Sequence, residues 1–181
     1  MLLIHGADPN MANGRRLTSL HMAAIGGRPR LVAPLVQAGA RIDARDSKGS
    51  TPMYMAVDRN ERAVAEAFVK AKANPSMKPR PSLMVPIGMW EVAGLAVPTA
   101  LGLAAARGEL DMVRMIVGRR GATFRAEDGS TAMHTAAQGS RRVDTPGDRS
   151  SIIAVLAAAK VDPEAALKDS KRTALHIVCS N

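Results

Sequence analysis

Four histidines and one cysteine are the residues of this 181-residue chain best suited to hold a metal or act on a substrate. His176 and Cys179 form a His-x-x-Cys pair, but two ligands do not close a zinc site and no second pair lies nearby. As a nucleophile Cys179 lacks an accompanying acid and base to activate it. No glycine-rich phosphate loop occurs, and no carboxylates are paired for acid/base work. His5 lies near an expected helix end. The other three histidines share one setting: Thr18-Ser19-Leu20-His21, Thr131-Ala132-Met133-His134 and Thr173-Ala174-Leu175-His176. Residues at one fixed place in a recurring tetrad answer to the element that recurs, not to a reaction. The sequence therefore predicts no enzyme and no catalytic, cofactor or metal site.

The same tetrad returns, altered, as Thr51-Pro52-Met53-Tyr54 and Thr99-Ala100-Leu101-Gly102. Thr18 and Thr51 are 33 residues apart, and Thr99 and Thr131 are 32 apart. A fixed period of this size marks one supersecondary unit stacked in a row, because a single unit cannot bury its own apolar face. Residues 13–45 show the logic. The Thr18 hydroxyl meets N–H groups that a helix's first turn leaves unpaired. Leu20, Ala23 and Ala24 give the short helix an apolar face, and the alanines permit close stacking. Gly26-Gly27 predicts a turn. Leu31, Val32, Leu35 and Val36 predict a second amphipathic helix, with Gly39 as its left-handed cap. Residues 40–49 then read as an exposed, hairpin-like connection.

Each unit closes on a related phrase: Gly6-Ala7-Asp8-Pro9-Asn10, Gly39-Ala40-Arg41-Ile42-Asp43 and, degraded, Lys72-Ala73-Asn74-Pro75. With the Thr-x-Leu-His starts and Ala-Ala pairs, these endings resemble those of the ankyrin-repeat family. The resemblance covers nearly the whole chain outside one insertion. It implies an all-α solenoid of stacked helix-turn-helix units with hairpin-like connections, whose motif histidines hydrogen-bond between neighbouring units. The corresponding division is a partial repeat at 1–12, repeats at 13–45 and 46–76, and an insertion at 77–97. A repeat at 98–125, a repeat at 126–167 with a loop insertion at 140–150, and a partial repeat at 168–181 complete it. Tyr54, Lys72 and Gly102 depart from the pattern, and the units holding Lys72 and Gly102 are expected to be locally looser. Both ends read as incomplete repeats, so either the native chain is expected to be longer or the open faces to be covered by a partner or by degenerate structure.

The function implied is non-catalytic binding of a protein partner, as a scaffold or adaptor. Carried onto this chain, the hairpin tips are Arg45, Asp46, Ser47, Lys48 and Ser50, then Glu127, Asp128 and Ser130. The concave helix residues are Asp58, Arg59, Arg107 and Gln138. Two alternatives stand beside this: a fragment of an adaptor or enzyme whose catalytic domain lies elsewhere, and a basic regulator associated with nucleic acid.

Composition narrows these readings. A net charge of +9 favours a partner with an acidic surface. Aromatics are only 2% of the residues, so the stacking platforms that single-stranded nucleic acid needs are nearly absent. The core must come from Leu, Val, Ile, Ala and the 11 methionines. A lone cysteine excludes an internal disulfide framework and favours an intracellular site, cytoplasmic or nuclear. Residues 92–106 are uncharged, but 15 residues interrupted by Gly94, Pro98 and Gly102 fall short of the roughly 20 needed to span a bilayer, so no membrane insertion is expected. Within the 77–97 insertion, Met89 and Trp90 are expected to fold back and seal an apolar seam.

Overall fold

The computed structural model describes residues 6–77, 79, 99–118, 131–138, 146–159, 161, 171, 173, 174 and 176. Every regular element among them is helical, and the chain divides into two compact units, Met1–Val85 and Pro86–Asn181. The insertion at 77–97, with Trp90, lies almost wholly outside the described residues.

In unit one, α1 (Ser19–Ile25) leads through a single 3-10 turn (Pro29–Leu31) into α2 (Val32–Gln37). The pattern repeats as α3 (Pro52–Asp58) and α4 (Arg62–Lys70). Threonine starts each first helix for a physical reason. The Thr51 hydroxyl accepts the Tyr54 N–H at 3.2 Å, and Pro52 occupies the first helical position, where a missing N–H costs nothing. α1 packs on α3, while α4 packs on α2 and its 3-10 entry. Leu20, Val32, Met53, Val64 and Phe68 are fully buried between them. Large side chains of this kind contribute about 1.5–3 kcal/mol each on burial, so short helices owe their stability to stacking rather than to propensity.

The repeat also demands left-handed backbone at three registers. Gly27 and Asn60 occupy it after the first helices, Gly39 and Lys72 after the second, and Arg16 and Gly49 in the hairpins. The caps at Gly39 and Lys72 are the same. Ala40 N–H donates to Leu35 O at 2.9 Å and Gly39 N–H to Val36 O at 3.0 Å, while Ala73 and Lys72 donate to Phe68 and Val69 at 3.0 and 3.1 Å. Lys72 makes the glycine's bonds and keeps the strain of φ 68° in its own backbone.

Unit two holds α5 (Ala100–Ala106), α6 (Leu110–Val117), α7 (Ala132–Gln138) and α8 (Pro146–Ala158). α5 packs on α7, and α6 on α8. Two expectations are corrected here. Gly102 does not loosen its repeat: all of α5 is buried, and a Cβ at Gly102 would lie 3.1 Å from Thr135 Oγ1 and 3.3 Å from its Cγ2. The glycine is what lets α7 approach. The loop expected over 140–150 also gives way to helix at Pro146, because proline suits a first helical position and the next residues need no intrahelical N–H partner.

Candidate functional site

The recurring histidines come first, because their surroundings decide whether they are chemical or structural. His21 is fully buried. Its Nδ1 lies 3.1 Å from the Thr18 N–H and 2.9 Å from Thr18 Oγ1, and its Nε2 lies 3.1 Å from Ser50 O. A backbone N–H can only donate, so Nδ1 must accept and the proton resides on Nε2, which donates to the carbonyl of the next repeat's hairpin. Burial lowers the His21 pKa from its ordinary 6.5, against the raising effects of the Ser50 carbonyl and nearby Asp46. His134 repeats the geometry, accepting from Thr131 N–H at 3.2 Å with Thr131 Oγ1 at 2.9 Å. His176 does so with Thr173, at 3.3 and 2.7 Å. In all three the ring nitrogen Nδ1 is held by the threonine that starts its own helix, and the His21 ring also reaches the next repeat's hairpin, which leaves it no lone pair turned outward. Among the described residues no three His, Cys, Asp or Glu side chains gather as a metal site would require, and Cys179 lies outside them.

A second set of polar groups links the repeats. Asn10 Oδ1 accepts Arg41 N–H at 2.8 Å and its Nδ2 donates to Gly39 O at 3.0 Å. One period later Asp43 Oδ1 accepts Asn74 N–H at 2.9 Å.

The predicted interface residues divide by burial. Asp46 and Ser50 are buried, 6% and 8% exposed, and this corrects their reading as presented hairpin residues. Asp46 Oδ1 accepts Ser50 N–H at 2.7 Å and Lys48 N–H at 2.9 Å, and Asp46 N–H donates to Ser50 O at 3.0 Å. The carboxylate builds the hairpin from within. Ser47 and Lys48 are exposed, and Arg45 is half-buried, its Nη1 3.4 Å from Gly49 O. Asp58 and Arg59 are exposed at the end of α3. In unit two Arg107 is half-buried at the end of α5, and Gln138 closes α7. Glu127, Asp128 and Ser130 lie outside the described residues.

One cationic hairpin, that of the Arg15-Arg16 pair, lies outside the predicted interface residues. Asn13 does for residues 13–17 what Asp46 does for 46–50: its Oδ1 accepts the N–H groups of Arg15 and Leu17, each at 3.0 Å. Arg15 and Arg16 are exposed there, and Ser47 N–H donates to Arg15 O at 2.9 Å, which sets the two tips side by side. The signal was available, since Arg15 precedes Lys48 by one period of 33.

An apolar groove of about 650 Å³ opens beside α1 and α2, lined by Met11, Leu17, Met22, Ile25, Leu31 and Leu35. Leu31 is 43% exposed, whereas Val64, one period on, is 0% exposed where α4 meets the 3-10 turn. The groove is thus the repeat's own stacking face.

A family model for ankyrin repeats, in three copies, matches residues 1–78. Residues 1–78 are thus ankyrin repeats. The chain is 42% identical over 74 residues to the cyclin-dependent kinase 4 inhibitor B of Bos taurus, a span covering 40% of this chain and 56% of that protein. The chain thus spans about half the length of the curated relatives it matches. In fold, the ankyrin-repeat domain of Bcl-3 gives a TM-score of 0.71 at 18% identity, covering 97% of this chain and 69% of that one. A chain in the structure of the Bdellovibrio bacteriovorus endopeptidase Bd0816 with immunity protein Bd3460 gives 0.68 at 22%, covering 99% and 82%. These likenesses establish an all-α ankyrin fold. Among the described residues no helix is long and apolar enough to cross a membrane.

Proposed function

We propose that this chain is a non-catalytic binding module that recognises a protein partner through exposed residues of its hairpin tips and first helices. The observation that carries the reading is a division of labour at equal register. Thr18, His21 and Asp46 are buried and bonded to backbone groups, while Lys48 on the same hairpin as Asp46, and Asp58 and Arg59 at the end of the next first helix, face solvent. The buried set can stay constant while the exposed set varies, which separates stacking from recognition. In unit one the recognition residues are Arg45, Ser47, Lys48, Asp58 and Arg59. Arg107 and Gln138, with Glu127, Asp128 and Ser130, extend the set in the second half. Asp46 and Ser50 leave it, because they are committed to the hairpin.

Two relatives support a regulatory partnership by their printed names, an inhibitor of cyclin-dependent kinase 4 and a RelA-associated inhibitor. The net charge of +9 favours an acidic partner surface. A cytoplasmic or nuclear setting fits both the names and the single cysteine.

The test is capture of binding proteins by the wild-type chain and by Arg59→Glu, read by mass spectrometry. A specific protein retained by the wild type and lost with Arg59→Glu, with melting temperature unchanged, is the expected result. Identical capture by both chains would remove the α3 end from the interface, and turnover of a substrate by the purified chain would overturn the non-catalytic reading.

A further inference from the structure

We infer that the two adjacent hairpin tips of unit one, residues 13–17 and 46–50, form a cationic edge that takes an extended acidic segment of a partner protein. This rests on the protein-binding reading above and specifies which surface and which chemistry.

The edge arises from how the chain uses its charges. Residues 1–85 contain thirteen Lys and Arg but six Asp and Glu. Most of those acids face inward or onto backbone. Asp8 accepts Asn10 N–H at 2.9 Å, Asp43 accepts Asn74 N–H at 2.9 Å, and Asp46 accepts Lys48 and Ser50 N–H. Glu66 pairs with Lys70 at 2.7 Å. The Glu61 carboxylate lies over Gly27, 2.9 Å from where a Cβ would stand. Asp8, Asp43, Asp46 and Glu66 are thereby partly neutralised by amide dipoles or by a lysine, while Arg15, Arg16 and Lys48 point to water. Between Asp8 and Asp58 no acidic residue is exposed, so nothing of opposite sign interrupts the edge.

The tips are also fixed in place. Asn13 and Asp46 cap them from within, and the Ser47 N–H to Arg15 O bond holds them together. A rigid array loses little entropy on binding. Stacked helical repeats stand about 8–10 Å apart, so cations of equivalent register recur at about that interval. An extended peptide advances about 3.3 Å per residue, so a carboxylate at every third residue meets the spacing. Nucleic acid suits the edge less well, because aromatics are 2% of the chain and stacking partners for bases are scarce.

The probe is a fluorescein-labelled peptide with Glu at every third residue and Ser between, followed by anisotropy. Arg15→Glu/Lys48→Glu is expected to weaken binding about tenfold, and raising salt from about 50 to 300 mM should weaken the wild-type complex steeply. Arg16→Gly should weaken binding about threefold while raising the melting temperature, since it removes a charge and relieves a left-handed arginine. Arg30→Glu, an exposed charge away from both tips, should change binding by less than about twofold. Wild-type affinity in the Arg15→Glu/Lys48→Glu chain, or an equal loss with Arg30→Glu, would overturn the edge. Tighter binding of a DNA duplex that displaces the peptide would overturn its partner class. If the peptide ignores the tips while Arg59→Glu still loses a captured protein, the edge fails and the binding-module reading survives. If neither surface matters, both fail.

Discussion

Two junctions between first helices solve one problem by opposite means. Between α1 and α3 the link is polar: the His21 ring accepts from Thr18 and donates across to Ser50 O, sealed from water. Between α5 and α7 the histidine position holds Gly102, which offers no bond across the junction but lets Thr135 Oγ1 come within 3.1 Å of where its Cβ would be. Thr135 in turn donates to Ala132 O at 2.8 Å, so its hydroxyl is satisfied inside its own helix. The first junction gains specificity from directional bonds, the second gains contact from a missing side chain. A repeat thus tolerates loss of its signature residue where packing can replace it.

The largest expected effect comes from breaking the polar junction. His21→Ala leaves Thr18 N–H and Ser50 O without the ring in a buried site and opens a cavity, so it should lower stability by about 3 kcal/mol in denaturant unfolding. Unchanged stability would mean the ring holds nothing together. The packed junction should respond to the reverse operation. Gly102→Val puts branched carbons against Thr135 and Thr99 and is expected to cost about 2 kcal/mol, with the melting temperature reporting it. A stabilising valine would show that the close approach is slack.

Those two positions also show where sequence reading succeeded and failed. The 33-residue register was legible because the tetrad that repeats is the tetrad that is buried: Thr18, Leu20 and His21 are all inside. Gly102 was misread because helix propensity penalises glycine locally, while the approach of α7 is a tertiary fact no local pattern encodes. Asp46 looked like a surface acid in a polar connection; its burial follows from the unpaired N–H groups of a tight hairpin. Asn13, one period earlier and bonded the same way, was the available hint. Arg59, assigned to the concave helix face by the family resemblance, is exposed at the end of α3.

A smaller effect sharpens the contrast between signature and substitute. Lys72 sits at φ 68° where the preceding repeat has Gly39 at 87°, with equivalent cap bonds. Lys72→Gly should therefore stabilise by about 0.5–1 kcal/mol, less the entropy that glycine adds to the unfolded chain. Gly39→Lys should destabilise by a similar amount, measured as a shift in denaturant midpoint. Equal midpoints for all three chains would remove backbone strain from the comparison.

That the recurring histidines are parts of the scaffold and not of a reactive site is tested most directly by following His21 itself. Nitrogen-15 NMR of the imidazole across pH reads tautomer and titration together. The expected result is a neutral ring protonated on Nε2 that resists protonation below its ordinary 6.5, because burial disfavours the cation. The sign for stability follows. Below 6.5 the unfolded chain binds the proton more readily, so the His21 contribution is complete above that pH. It declines as pH falls from 6.5 through the lowered native value. A ring protonated on Nδ1, a titration at or above 6.5, or a resonance shifted by added zinc would contradict the structural role.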